Sequence, residues 1–138
     1  MTTDEFIEAL NGDLELEYRS IVQYVHHIAT ISGAELASTV DELRVHLPQE
    51  LTHALTLAEQ IAFLGGIPST QVTAVPEAAD SHRALELDLD LETQQLERYR
   101  ERFTQAAELG LPDVAEMLRP LLEQTQEHVR DLQGVLDA

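Results

Sequence analysis

Four apolar seams, each interrupted by polar residues at one level, constrain this chain more than any other feature. With alternating spacings of four and three, the first seam runs Leu10, Leu14, Glu17, Ile21, Tyr24 and the second runs Leu43, Leu47, Glu50, Ala54, Leu57. The third runs Leu85, Leu89, Glu92, Leu96, Tyr99 and the fourth Leu118, Leu121, Thr125, His128, Leu132. A stripe of this period is the buried face of a helix, and four such stripes pack as a left-handed four-helix bundle. Because each seam is polar only near its middle, Glu17, Glu50 with His53, Glu92, and Thr125 with His128 are expected to share one layer of the core.

Punctuation sets the helix limits. Thr3 or Asp4 can cap the first helix, which runs to Gly33, and the second starts near Glu35 to Ser38 and runs to Gly65-Gly66. The third follows an Asp80 or Ser81 cap and stops at Gly110, and Pro112 suits the first position of the fourth. Residues 65 to 80 form the one long link, which can cross the length of the bundle between helices two and three. DLELEY (13 to 18) and LELDLDLE (85 to 92) alternate like strands, but Asp and Glu are poor strand formers and the helical period continues on both sides. Pro48 and Pro120 fall inside helices and predict local kinks rather than ends. The expectation is a single all-α domain spanning residues 1–138.

The 26 acidic residues stand against 8 arginines and no lysine, a formal charge of −18. Nucleic acid and anionic membranes both require a basic face, so neither is an expected partner. Such a chain attracts cations, although a plainly solvated acidic surface is the alternative reading. With no cysteine, disulfides and thiolate metal sites are excluded. The start, MTTDEFIEAL, lacks a basic stretch followed by an apolar one, and no apolar run is long enough to span a bilayer, which leads us to expect a cytoplasmic protein.

Burying an ionised carboxylate without compensation costs several kcal/mol, so three together rival a whole domain's stability of roughly 5–15 kcal/mol. Arg19, Arg44, Arg98 and Arg130 lie off the seams, which leaves protons or metal ions to neutralise the acids. Glu50-Leu51-Thr52-His53 puts a carboxylate and an imidazole three residues apart on one helical face, the spacing of carboxylate-bridged two-metal sites in bundles. ExxH alone is common by chance in Glu-rich helices. The stronger signal is an interval: Glu17 precedes Glu50 by the same number of residues as Glu92 precedes Thr125, the first position of TxxH. The two helix pairs therefore read as repeats carrying one site, with a satisfied structural network as the alternative.

The runs NGDLELEYRSIVQY, QELTHALTLAEQIAFLGGIPS and LDLDLETQQLERYRE, in this order and spread over nearly the whole chain, resemble the bacterioferritin branch of the ferritin-like superfamily. The resemblance implies Glu17 and Glu92 as terminal metal ligands, Glu50 as a bridge, and His53 and His128 as the imidazole ligands. It also implies iron, one or two ions per chain, with manganese as a further candidate. Tyr24 matches a family tyrosine near the centre; its other reading is a core tyrosine whose hydroxyl needs a partner. Three departures stand out. Thr125 occupies the place of the second bridging glutamate, so the second metal position is expected to be weaker. Leu51 stands where bacterioferritins carry the haem-ligating methionine, and no haem is expected. The chain ends at Ala138, soon after Gly134, so we expect no short fifth helix and no cage built on one.

His46, one turn before Glu50, is the candidate to replace the lost carboxylate; otherwise it is a solvent-facing or supporting histidine. Glu123 and Glu127 point away from Thr125 around the helix, and His26, His27 and His82 are expected at the surface. Leu16, Leu87 and Leu91 form a second apolar row that suggests an intersubunit face and at least a dimer. Three functions follow: oxidation of Fe(II) by dioxygen or peroxide, with iron storage or detoxification; a small-oligomer iron or manganese oxidase acting on peroxide or an organic substrate; or a non-catalytic helical binding module that has lost a full metal site.

Overall fold

A computed structural model describes the whole chain, Met1–Ala138. It is all-helical: α1 (Thr3–Thr30), α2 (Ala37–Phe63), α3 (Ser81–Glu108) and α4 (Pro112–Leu136), with a single 3-10 turn at Ala34–Leu36. Both alternating segments lie inside helices, DLELEY in α1 and LELDLDLE in α3. α2 and α4 continue through Pro48 and Pro120. No helix is long and apolar enough to cross a membrane.

The caps explain the boundaries. The first cap is Thr2, not Thr3 or Asp4: its hydroxyl accepts from the Glu5 amide at 3.1 Å while the Glu5 carboxylate accepts from the Thr2 amide at 3.0 Å. Only Thr2 has a glutamate at the third helical position, so only Thr2 completes this reciprocal box. Asp80 caps α3 through the Arg83 amide. α2 and α3 end in the same way, on Gly65 and Gly110 with φ of 91° and 74°, a left-handed conformation that residues with a Cβ seldom adopt.

α1 packs against α2 and α3, and α4 against α3 and α2. All four neighbouring pairs are antiparallel, which requires α2 and α3 to run the same way and the link between them to travel the length of the bundle. That link lies along α1: Tyr18 Oη donates to the Ser69 carbonyl at 2.9 Å, and Asn11 binds the Ile67 carbonyl and the Ser69 amide at 3.1 and 2.7 Å. Two apolar clusters fill the ends, one around Phe6, Leu10, Leu57, Ile61 and Leu118, the other around Leu43, Leu85, Ile31 and Leu132. The polar residues of the four seams lie between them.

Two expectations change. Leu87 and Leu91 are buried within the chain, at 8% and 1% exposure, and Leu16 is half-buried, so they do not form a free face. α3 packs on both α1 and α4, and beside these leucines Asp88 and Glu92 are buried as well, while Asp90 is exposed. The apolar side chains left exposed include Val22 and Val25 on α1 and Leu51 and Leu55 on α2. His27 is the second change. It is buried, with Nδ1 2.7 Å from Asp88 Oδ1, whereas His26 and His82 are exposed.

Candidate metal centre

Each helix contributes to the middle layer from the residue pairs its seam defines. Glu17, Glu50, Glu92 and Thr125 are fully buried, and His53 and His128 nearly so. Oxygen and nitrogen atoms of Glu17, Glu50 and His53 converge within 4.8 Å, and those of Glu50, Glu92 and His128 do the same. Glu50 belongs to both groups. Its Oε1 lies 2.9 Å from His128 Nδ1, and its Oε2 lies 3.4 Å from His53 Nδ1. Glu92 Oε1 is 3.3 Å from His128 Nδ1 and Glu17 Oε1 is 3.5 Å from His53 Nδ1.

The imidazoles are set by residues outside these groups. His53 Nε2 sits 2.7 Å from Gln124 Oε1, and His128 Nε2 sits 2.6 Å from Gln49 Oε1. A carbonyl oxygen can only accept, so each ring donates from Nε2 and turns Nδ1 toward the carboxylates. The terminal carboxylates are anchored by phenols: Tyr24 Oη donates to Glu92 Oε1 at 2.7 Å, and Tyr99 Oη donates to Glu17 Oε1. Ser20 Oγ donates to Glu17 Oε2 and accepts from Gln95 Nε2, at 3.2 and 3.3 Å.

A twofold pattern organises the layer. Glu17 and Glu92, Glu50 and Thr125, His53 and His128, Gln49 and Gln124, and Tyr24 and Tyr99 are each separated by the same interval along the chain. The next shell repeats it: buried Asp13 is held by Arg98 and Arg102, and buried Asp88 by Gln23 and His27 at the corresponding positions. His27 is thus the counterpart of Arg102, which accounts for its burial. Tyr99, Gln49, Gln124 and the Asp13 and Asp88 pairs were missed as supporting groups in the sequence. The interval that relates Glu17 to Glu92 also relates Tyr24 to Tyr99 and was available to find them.

The electrostatics record the strain of three acids in one layer. Burial, followed by the charges of Glu17 and Glu92, pushes the Glu50 carboxyl well above the usual range. Burial acts the same way on Glu92, but hydrogen bonds from Glu50, His128 and Tyr24 outweigh it and lower its pKa. For His53, burial favours the neutral ring, and the Glu17 carboxylate overcomes it to raise the pKa. Burial and the neighbouring carboxylates also raise both Tyr24 and Tyr99, which keeps them as donors.

Whether this layer suits a cation can be judged from its own atoms. No arginine pairs with Glu17, Glu50 or Glu92, and there is no lysine to do so. His53 Nδ1, Glu92 Oε2 and Thr125 Oγ1 are buried without a hydrogen-bond partner. Unsatisfied, electron-rich atoms buried in one layer are what bound cations would satisfy, and carboxylate with imidazole suits divalent first-row metals. Thr125 breaks the symmetry, leaving a short neutral hydroxyl at the position equivalent to Glu50. His46 joins neither buried group; its ring stacks on His128 at 3.9 Å and turns Nε2 toward Asp131 and Glu42, at 3.2 and 3.5 Å. Glu123 and Glu127 are exposed.

Comparison with known proteins agrees with this architecture. A family model for the ferritin-like domain matches residues 7–138. The chain is 28% identical to a bacterioferritin of Desulfovibrio desulfuricans, over 89% of this chain and 69% of that one. A ferritin-like diiron-carboxylate protein from Bacillus anthracis str. Ames superposes with a TM-score of 0.93 at 34% identity, covering 99% of each chain. The bacterioferritin-related dodecameric thioferritin of Bacteroides fragilis superposes with a TM-score of 0.88 at 25% identity, over 99% of this chain and 87% of that one. Fold, buried layer and family match coincide: the chain belongs to the ferritin-like family and is a homologue of the bacterioferritins.

Proposed function

We propose that this chain binds iron in the buried layer and oxidises Fe(II), with dioxygen or peroxide as electron acceptor. The observation that carries this reading is the sharing of Glu50 between two converging groups, Glu17-Glu50-His53 and Glu50-Glu92-His128. Glu17 and His53 would hold one ion, Glu92 and His128 a second, and Glu50 is the carboxylate common to both. Bound iron supplies the one-electron step from Fe(II) to Fe(III), which the acidic donor set favours by stabilising the higher charge. The protein's own contribution is orientation and exclusion. Gln49 and Gln124 fix the imidazole tautomers, Tyr24 and Tyr99 hold the terminal carboxylates, and the apolar clusters above and below keep bulk water out.

The same donors accept manganese, and the diiron-carboxylate description of the Bacillus relative favours iron. A homo-oligomer is part of the proposal. It rests on exposed Val22, Val25, Leu51 and Leu55 and on the dodecameric Bacteroides relative, not on the leucines of α3. Storage of iron as mineral adds the requirement of a closed shell.

A second reading, a binding module without catalysis, is favoured by Thr125. Anaerobic Fe(II) titration of the wild type and Glu50→Ala, followed by exposure to air, separates the two. The expected result is stoichiometric binding in the buried layer and growth of Fe(III) absorbance in the wild type, with both the buried-layer equivalents and the absorbance lost in Glu50→Ala. Wild-type protein that binds neither Fe, Mn nor Zn under reducing conditions establishes the binding-module reading instead.

A further inference from the structure

We propose that Glu42, His46 and Asp131 form a separate divalent-cation site at the edge of the bundle, outside the buried layer. The three residues, from α2 and α4, bring ligand atoms within 4.8 Å of one another. The nitrogen is preset. The His46 ring is 2% exposed and wedged against His128, and its one outward nitrogen, Nε2, faces Asp131 and Glu42. Its other nitrogen, Nδ1, has no partner, so Nε2 makes all the polar contacts of this ring.

The carboxylates point to the same ligand. Neither Glu42 nor Asp131 pairs with any of the eight arginines, although their carboxylate oxygens lie within 4.8 Å of each other. Two like charges directed at one imidazole nitrogen are relieved by a proton or a cation, and two oxygens with one nitrogen suit a borderline divalent metal.

The group also breaks the internal repeat. The positions equivalent to Glu42, His46 and Asp131 in the other half are Met117, Leu121 and Thr56, none of which is a metal ligand of this kind. Packing of the bundle therefore does not require these three residues. They occur only beside His128, on the half where Thr125 has removed a carboxylate. An ion held there lies behind the stacked His46 and His128 rings and is not part of the buried centre.

Equilibrium dialysis of the full metal-free chain against Co(II) tests this. Glu42→Gln with Asp131→Asn should bind one equivalent fewer per chain than wild type, and His46→Gln should lose the same equivalent. Glu50→Gln, which disables the buried layer, should retain it, and anomalous scattering at the cobalt edge should locate it at His46 Nε2. A wild-type chain holding a single Co(II), at His46, supports this site while rejecting the buried centre. Unchanged stoichiometry in the double variant, or loss of all Co(II) binding in Glu50→Gln, overturns the proposal.

Discussion

The Tyr24 hydroxyl donates to Glu92 Oε1 at 2.7 Å, crossing from α1 to α3, and Tyr99 makes the reciprocal bond from α3 to Glu17. Each terminal carboxylate is thus held by a phenol from the other half of the repeat. Removing one hydroxyl frees one carboxylate and leaves the other fixed. Tyr24→Phe should weaken metal binding on the His128 side and Tyr99→Phe on the His53 side, each by about 10-fold or more. Calorimetric titration with Mn(II) under reducing conditions resolves the two. Identical isotherms for both variants and the wild type would show that the phenols do not orient the ligands.

Thr125→Glu restores the residue that the repeat calls for at the counterpart of Glu50. Metal stoichiometry in the buried layer should rise towards two ions and Fe(II) oxidation should quicken. In the metal-free state a fourth carboxylate in the layer should lower stability by several kcal/mol, an effect that added Mn(II) reverses. Thermal melts with and without Mn(II), alongside metal analysis, check both parts. A normally folded variant with unchanged stoichiometry and rate would rule out a degenerate two-metal site.

Arg102 and Arg98 both bind Asp13, with Nε–Oδ distances of 2.8 and 2.6 Å, but Arg102 is 5% exposed and Arg98 37%. Arg102→Ala leaves Asp13 without its buried partner and should cost about 3 kcal/mol. Arg98→Ala leaves that partner in place and should cost about 1 kcal/mol or less. Urea denaturation at neutral pH measures the difference, and equal costs would mean that burial does not set the strength of these pairs.

Asp88 gives a pH test away from the proposed ligands. Burial raises its pKa, against the opposing hydrogen bonds from His27 and Gln23. A carboxyl raised in the folded state contributes stability fully below its unfolded pKa of about 3.9, and loses it as pH rises through the folded value. Asp88→Asn cannot ionise, so its stability relative to wild type should increase between about pH 4 and pH 7. Paired urea titrations at the two ends of this range decide it; a relative stability that falls with pH would reverse the assigned sign.

Much of the architecture could be read directly from residue spacing. The period of Leu10, Leu14, Ile21 and their equivalents identifies four helices and their buried faces, because spacing along one helix determines direction around its axis. The same spacing brings Glu17, Glu50, His53, Glu92 and His128 to one level, and the 65–80 stretch is long enough to be the crossover. Cap chemistry at Asp80, Gly110 and Pro112 is equally local, and those boundaries follow from it.

What lay beyond the sequence reading were relations between helices. His27 looked like a surface residue until α3 brought Asp88 against it, and Leu87 and Leu91 looked free until the fold buried them. His46 lies on the face of α2 that carries Glu50, yet its nitrogen turns outward because Asp131 approaches from α4. Sequence determined which residues share a face and a level on each helix. Tertiary structure decided which atoms meet, because axial register between helices and the rotamer chosen at each contact are set by packing of the assembled core and have no counterpart in residue spacing.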